Sequence, residues 1–202
     1  MTPAEKRHEM GKAIVEFEGR YEQGNLQHYK LPQGDGGGRG EVAGINEKYH
    51  PKEYAKLRGL IEGGAHQEAE HEAARYIEEY TRKVVNFFPS SAAADANPAL
   101  EFILRDCAFN RGMKGAATVL QIALGMHNID GIVGPLTHRE FAKQLEDPGS
   151  AVILRALTAA RETYERNVYA WKTSSRDESS KFWRGLENRW AKAHQVAATR
   201  FV

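Results

Sequence analysis

The sequence predicts a mainly α-helical chain. Apolar residues recur at helical spacing over most of its length, helix-start signals precede several of those runs, and no alternating apolar and polar run exceeds about four residues. Any sheet is therefore expected to be at most a small β-hairpin, near a glycine-rich stretch between Gly34 and Gly44.

The elements follow in order. Thr2-Pro3-Ala4-Glu5 has a capping hydroxyl, a proline at the first helical position and a glutamate three residues after the cap. Met10, Ala13, Ile14, Phe17 and Tyr21 then recur at helical spacing, which predicts a helix ending near Gly19 with Glu18 in its last turn. A second helix is expected over Glu68 to Phe88, with Ala74, Ile77, Val84 and Phe88 as its apolar stripe and Pro89 as its stop. Ser90 to Asn97 reads as an alanine-rich loop. Asn97-Pro98 is expected to cap a third helix carrying Leu100, Ile103, Leu104 and Cys107, and a fourth follows Asn110-Arg111-Gly112, running through Val119, Leu120, Ala123 and Leu124.

Asn128 to Pro135 reads as a compact turn. Thr137-His-Arg-Glu140 then looks like a second capping box, opening a short helix that ends at Asp147-Pro148-Gly149. Two long helices are expected in the remainder, Ser150 to Trp171 and Glu178 to Phe201, parted by the polar Thr173 to Asp177.

Composition narrows the function. The 202 residues suffice to bury a core, and 28 basic against 27 acidic side chains give a formal charge of +1, which does not advertise nucleic acid. The one cysteine, Cys107, has no partner for an internal disulfide and lies on an apolar stripe, so it reads as core. No apolar run reaches the roughly 20 residues that span a bilayer, and the charged first 20 residues are unlike a signal peptide, so synthesis in the cytoplasm without membrane insertion is expected.

Among chemical candidates, Glu18 follows Phe17 at a helix end, where partial desolvation would raise its carboxyl toward the range of a general acid. Read blandly, it is a solvated helix-end glutamate. Asp35 and Glu41 lie in or beside the glycine-rich stretch and are candidate second carboxylates, although Asp35-Gly36 alone is also an ordinary turn. The glycines do not form a phosphate loop, since no strand precedes them and no Gly-Lys-Ser/Thr follows. His66 and His71 flank Glu68 and Glu70, but a five-residue offset puts the histidines on different helix faces, so no metal site and no cofactor is expected. Residues 161–202 carry nine Lys/Arg and five Asp/Glu, with Trp171, Phe182, Trp183 and Trp190 interleaved. Phe182, Leu186, Trp190, Ala193 and Ala197 look like a core stripe under a mildly basic face, which would also suit an anionic cell-wall polymer.

Several of these segments together resemble the family 108 glycoside hydrolases, the N-acetylmuramidase or secretion-activator proteins. Glu18-Gly19-Arg20-Tyr21 is similar to the family's Glu-Gly-Gly-Tyr, and Asp35 to Asn46 to its Asp-Pro-Gly-Gly-x-Thr-x-x-Tyr-Gly-Ile-Thr loop. Arg105 to Gly112, Leu120-Gln121 and Asp130 to Thr137 are similar to its Phe-Asp-x-x-Val-Asn-x-Gly, Leu-Gln and Asp-Gly-x-x-Gly-Pro-x-Thr series. The resemblance implies a lysozyme-like, mainly helical fold with a catalytic region over 1–97 and a helical peptidoglycan-binding-like region over 98–202, packed as one unit. It implies a muramidase that cleaves the β-1,4 bond after N-acetylmuramic acid, with Glu18 as general acid, Asp35 as a second catalytic carboxylate, and Tyr21, Gly37, Gly38, Glu41, Gly44 and Asn110 at the substrate. The implied partner is the glycan strand of peptidoglycan, reached in the periplasm or after delivery by a holin, a secretion machine or a phage particle.

The chain departs from the family pattern at Arg20, Gly36, Gly40 and Ala43, which stand for glycine, proline, threonine and tyrosine, and Glu22 to Gly34 looks like an insertion. Loss of the threonine hydroxyl leaves three alternatives. Asp35 or Glu41 positions the attacking water, the muramic hydroxyl attacks internally as in lytic transglycosylases, or the chain is an inactive glycan-binding or secretion-accessory protein.

Overall fold

A computed structural model describes residues 1–31, 39–169 and 181–201. The chain is mainly α, with eight α-helices and two small antiparallel sheets among these residues. It divides into two compact units, Met1–Tyr80 and Thr81–Val202. The division thus falls after Tyr80 rather than after Asn97.

The first unit opens with α1 (Pro3–Glu18), and its capping box forms as the sequence predicts: Thr2 Oγ1 accepts from the Glu5 N–H while Glu5 Oε2 accepts from the Thr2 N–H at 2.7 Å. Two hairpins follow. β1 (Arg20–Glu22) pairs with β2 (Asn25–Gln27) across Gln23-Gly24, and β3 (Tyr29–Lys30), β4 (Gly40–Val42) and β5 (Ile45–Asn46) form a second sheet with Ala43-Gly44 between the last two strands. Both two-residue turns have positive φ at each position, 50° and 81° in the first and 47° and 77° in the second. That backbone sign pattern matches the right-handed twist of paired strands and favours glycine at the second place. Residues 32–38 lie between β3 and β4, whose flanks are tied by the Leu31 N–H to the Arg39 carbonyl at 2.9 Å.

Helices α2 (Pro51–Glu62) and α3 (His66–Tyr80) complete this unit. α2 carries no clear sequence signal, since its buried face is only Tyr54, Leu57 and Ile61 among nine other residues. α1 and α3 cross closely, because Gly11 has no side chain: a Cβ there would stand 2.5 Å from the Ala74 carbonyl oxygen. Met10, Ala13, Ile14 and Val15 bury against Ala69, Ala73, Ala74 and Ile77 around that crossing. His66 and His71 do lie apart, His66 Nδ1 3.0 Å from the Leu26 carbonyl and the His71 ring 4.7 Å from that of His8.

The expected helix from Glu68 to Phe88 is corrected. It ends at Tyr80, and Arg82–Phe87 form a separate 3₁₀ segment in the second unit. The stripe that looked continuous serves two cores, Ala74 and Ile77 in one, Val84 and Phe88 in the other. The alanine-rich stretch is likewise a helix, α4 (Ser91–Ala96), with Ser90 Oγ capping the Ala93 N–H at 3.1 Å.

The second unit is built around α5 (Pro98–Ala123). Asn97 does not cap it with its side chain, which instead donates to the Ala93 carbonyl. The expected break between two helices is present as a kink at Gly112, with φ 71° and ψ 172°. Every residue from Leu100 to Ala108 is buried, so α5 is enclosed on all sides and its polar residues must find partners. Arg105 donates to Glu101 Oε1 at 2.8 Å and to Thr81 Oγ1 at 3.0 Å. Asp106 accepts from Arg161 on α7 (Ser150–Tyr164) and from Arg189 on α8 (Lys181–Arg200). Burial would raise the Asp106 carboxyl, but the charges of Arg189 and Arg161 and their hydrogen bonds outweigh it and hold it below the ordinary carboxylate range. Cys107 is core as expected, its thiol pushed up to about 11 by burial.

The helix before α7, α6 (Pro135–Glu146), corrects another expectation. It starts at Pro135 with Gly134 as its cap, and Thr137 is buried inside it instead of capping it. In the C-terminal stripe Trp190, Ala193 and Ala197 are buried as predicted, joined by Trp183, whereas Leu186 is half-buried. Trp171 and the side chain of Phe182 lie outside the described residues.

Two outcomes are expected. Asp106→Asn removes the buried carboxylate that Arg161 and Arg189 share and should destabilise the second unit by about 3–5 kcal/mol, read from urea unfolding. In the first unit His50, whose Nδ1 lies 2.7 Å from the Tyr76 hydroxyl oxygen, is held below its ordinary pKa of 6.5 by burial, against a smaller upward pull from Glu53. The unfolded chain therefore takes that proton first, and this contribution to stability is lost as pH falls below the unfolded value. His50→Gln should show a smaller drop in melting temperature than wild type between about pH 7.5 and about pH 5.5.

Candidate active site

The site predicted from Glu18 is organised by the way α1 ends. Glu18 is the last residue of α1 and is half-buried, and the Gly19 N–H closes the helix on the Val15 carbonyl at 2.7 Å. Gly19 has ordinary negative φ, so its requirement is for space. A Cβ would lie 2.8 Å from each of Leu26 Cδ1, Tyr21 Cε2 and the Val15 oxygen. The chain can thus turn from helix into β1 directly after the glutamate only with glycine at this position.

Neighbouring residues of a strand point to opposite faces, and β1 separates its side chains accordingly. Tyr21 is directed to α3, where its hydroxyl donates to Glu70 Oε1 at 3.3 Å; burial and the Glu70 charge raise its phenol. Arg20 instead lies over the ring of Tyr29, its guanidinium carbon 3.8 Å from the centroid. Tyr29 is the cross-strand partner of Glu41, and its hydroxyl donates to Glu41 Oε1. Burial first, then that bond and the charge of Glu41, raise the Tyr29 phenol; Arg20 opposes the shift and the charge of Glu18 adds to it. Tyr29 therefore remains a protonated donor at neutral pH. Its surroundings place Glu18, Arg20 and Glu41 within electrostatic reach of one phenol.

Of the residues predicted for the site, Glu41 bonds Tyr29, while Glu18 acts on the same phenol through its charge alone, as the smallest influence on it. Gly44 forms the positive-φ end of the β4–β5 turn. Asp35, Gly37 and Gly38 lie outside the described residues. Asn110 belongs to the second unit, half-buried just before the Gly112 kink, with its amide donating to the Asp106 carbonyl at 2.9 Å. Tyr29 is the residue the sequence reading does not single out. Its signal is its register opposite Glu41, which depends on a turn length that spacing alone does not reveal.

Glycine at position 40 has a definite packing reason. Its N–H donates to Glu47 Oε2 at 3.0 Å, and a Cβ there would be 1.8 Å from the Tyr54 hydroxyl oxygen and 2.2 Å from Cζ. A buried phenol from α2 thus occupies the volume into which a side chain at residue 40 would project.

In the second unit, Gln121 and Asp130 to Ile132 form one hydrogen-bonded lock. Gln121 donates to Asp130 Oδ1 at 2.7 Å and to the Ile132 carbonyl at 3.0 Å, while its carbonyl accepts from the Gly131 N–H at 2.8 Å. Asp130 Oδ1 also accepts from the Ile132 N–H, and its carboxyl is held below the ordinary range first by the Gln121 bond and then by that backbone bond. Gly131 sits at φ 72° against Lys114 and Thr118, where a side chain has neither backbone freedom nor room. Ile129, Ile132 and Leu136 stand exposed on and beside this turn.

Among the described residues no cluster of three or more His, Cys, Asp or Glu is arranged to hold a metal, and no helix is long and apolar enough to cross a membrane. Gly40→Thr alone should overpack against Tyr54 and cost about 1–3 kcal/mol. Adding Tyr54→Ala should recover part of that cost relative to the sum of the two single changes, read as the coupling in a double-mutant cycle by thermal unfolding. Comparison of the chain with protein-family models, with curated proteins and with solved structures gives no match in any of the three.

Proposed function

We propose that the chain is a peptidoglycan-cleaving glycosidase, a muramidase acting on the β-1,4 bond between N-acetylmuramic acid and N-acetylglucosamine, with Glu18 as the proton donor. The observation that carries the reading is Glu18 at the direct turn from α1 into β1, followed by Arg20 over the ring of Tyr29, whose hydroxyl donates to Glu41. Glycosidic cleavage asks for one carboxyl that gives a proton to the departing oxygen and a second, ionised group that faces the positive charge developing on the sugar. Glu18 sits at the negative end of the α1 dipole, the end of a helix that favours the neutral form of a carboxyl. Glu41 accepts the Tyr29 hydroxyl, which orients it and satisfies its charge, so it is the candidate to hold a water or to stabilise the oxocarbenium-like state. Arg20 over the ring fixes Tyr29 from the other side.

The second reading, a peptidoglycan-binding protein without catalysis, rests on the resemblance of the segment that carries the Gln121 lock to the family's peptidoglycan-binding region. A zymogram on purified sacculi separates the two. Wild type should clear the gel and Glu18→Gln should lose at least about 100-fold in activity, as expected when a general acid is removed. No clearing by wild type leaves the binding reading, and clearing that survives the substitution removes Glu18 from the mechanism. Mass spectrometry of the products assigns hydrolysis if the muramic ends are reducing and internal attack if they are 1,6-anhydro.

A further inference from the structure

A groove between α7 and α8, within the second unit, is used by none of the chemistry above. The two helices run antiparallel, since Arg161 and Arg189 meet at Asp106, Thr158 Oγ1 lies 2.9 Å from His194 Nδ1, and Arg166 stands 4.4 Å from the Trp183 ring centroid. Partners thus descend one helix as they ascend the other. The groove holds about 530 Å³, within the range of small-ligand sites, and its apolar lining includes the buried Trp190 and the exposed Ala159.

Its charge is divided by position. Arg155 and Glu162 on α7, and Glu187 and His194 on α8, all line it. In each helix the acidic and the basic residue are seven apart, two turns or about 10 Å of axis. The antiparallel arrangement brings Glu162 beside Glu187 at one end and Arg155 beside His194 at the other. Each carboxylate is held through Oε1, Glu162 in an ion pair with Arg166 and Glu187 by the neutral Trp183 indole N–H at 2.8 Å, so this end keeps the uncompensated negative charge of Glu187. At the opposite end the Thr158 hydroxyl donates its one proton to the Leu154 carbonyl, so its oxygen accepts from His194 Nδ1–H and holds the ring.

We propose that this groove binds a short zwitterionic peptide of about three residues, its ammonium between Glu162 and Glu187, its carboxylate on Arg155, and a side chain against Trp190. An extended chain rises about 3.3–3.6 Å per residue, so the free ends of a tripeptide match the separation of the two charged ends. Charge complementarity selects this occupant: an internal segment of a longer chain carries neither terminal charge. The inference is independent of the glycan-cleaving reading of the first unit.

Calorimetric titration of the full chain with tri-L-alanine tests it. Saturable binding is expected, and blocking either terminus, by acetylation or by amidation, should weaken it about tenfold. Arg155→Gln should weaken the free peptide about tenfold yet leave the amide unchanged, and Glu187→Gln should do the converse with the acetylated peptide. Both side chains are exposed, so circular dichroism and melting should match wild type. Absence of saturable binding up to roughly 10 mM by the folded protein overturns the proposal. So does equal binding of a doubly blocked peptide, which would assign the groove to an internal segment or a second copy.

Discussion

The first unit depends on the absence of a side chain at residue 19. Backbone, a leucine methyl and a tyrosine ring close on that point from three sides, so the chain can pass from α1 into β1 without a spacer. The consequence for chemistry is positional. A loop of even a few residues would let Glu18 wander, whereas a helix terminus welded to a strand fixes it relative to the next strands, and catalytic groups need that fixity to within a fraction of an ångström. Gly11 acts in the same way one layer deeper, letting α1 lie directly on the backbone of α3. The β1 strand that follows is also tied down, through Tyr21 to Glu70 and through its partner strand by His66 to the Leu26 carbonyl.

The second unit solves a different problem. Its central helix is buried on all faces for nine consecutive residues, three of them, Glu101, Arg105 and Asp106, charged. Burying charge is costly unless each group is paired and hydrogen-bonded. Here Asp106 draws Arg161 from α7 and Arg189 from α8 onto one carboxylate, which fixes the register of two helices at once. Glu101, Arg105 and Thr81 do the same for the segment that enters the unit. The same register sets which residues of α7 and α8 face one another, and so the order of charges along the groove between them.

Local signals were legible where local physics decides the outcome. The Thr2 box, the stop after Glu18, the kink at Gly112 and the burial of Cys107 all follow from capping chemistry, glycine backbone freedom or apolar spacing. Legibility fails where tertiary partners overrule the pattern. Thr137 has a capping sequence, but Pro135 already sits at a first helical position and the threonine is consumed by the core. The Ala74 to Phe88 stripe reads as one helix because periodicity cannot say that its halves face different cores. α2 escapes notice because three apolar residues among charged ones give a weak stripe. For the site, Glu18 and Glu41 were visible as residue types, but Tyr29 became visible only with the strand register that sets it opposite Glu41.

The glycine at position 40 changes how a departure from a motif is to be weighed. Read in sequence, replacing threonine by glycine is the deletion of a hydroxyl, which weakens any mechanism that uses it to hold water. In three dimensions the deleted volume is filled by the phenol of Tyr54, whose oxygen lies 1.8 Å from where the Cβ would stand. A hydroxyl is therefore present at that place, delivered from α2 instead of from β4, and burial keeps it protonated by raising its phenol above the ordinary value. The substitution and the tyrosine make sense only together, since neither side chain at 40 nor the ring of 54 could be enlarged without displacing the other. The backbone of β4 and the ring from α2 thus form one packed unit, although the sequence pattern barely announces that helix.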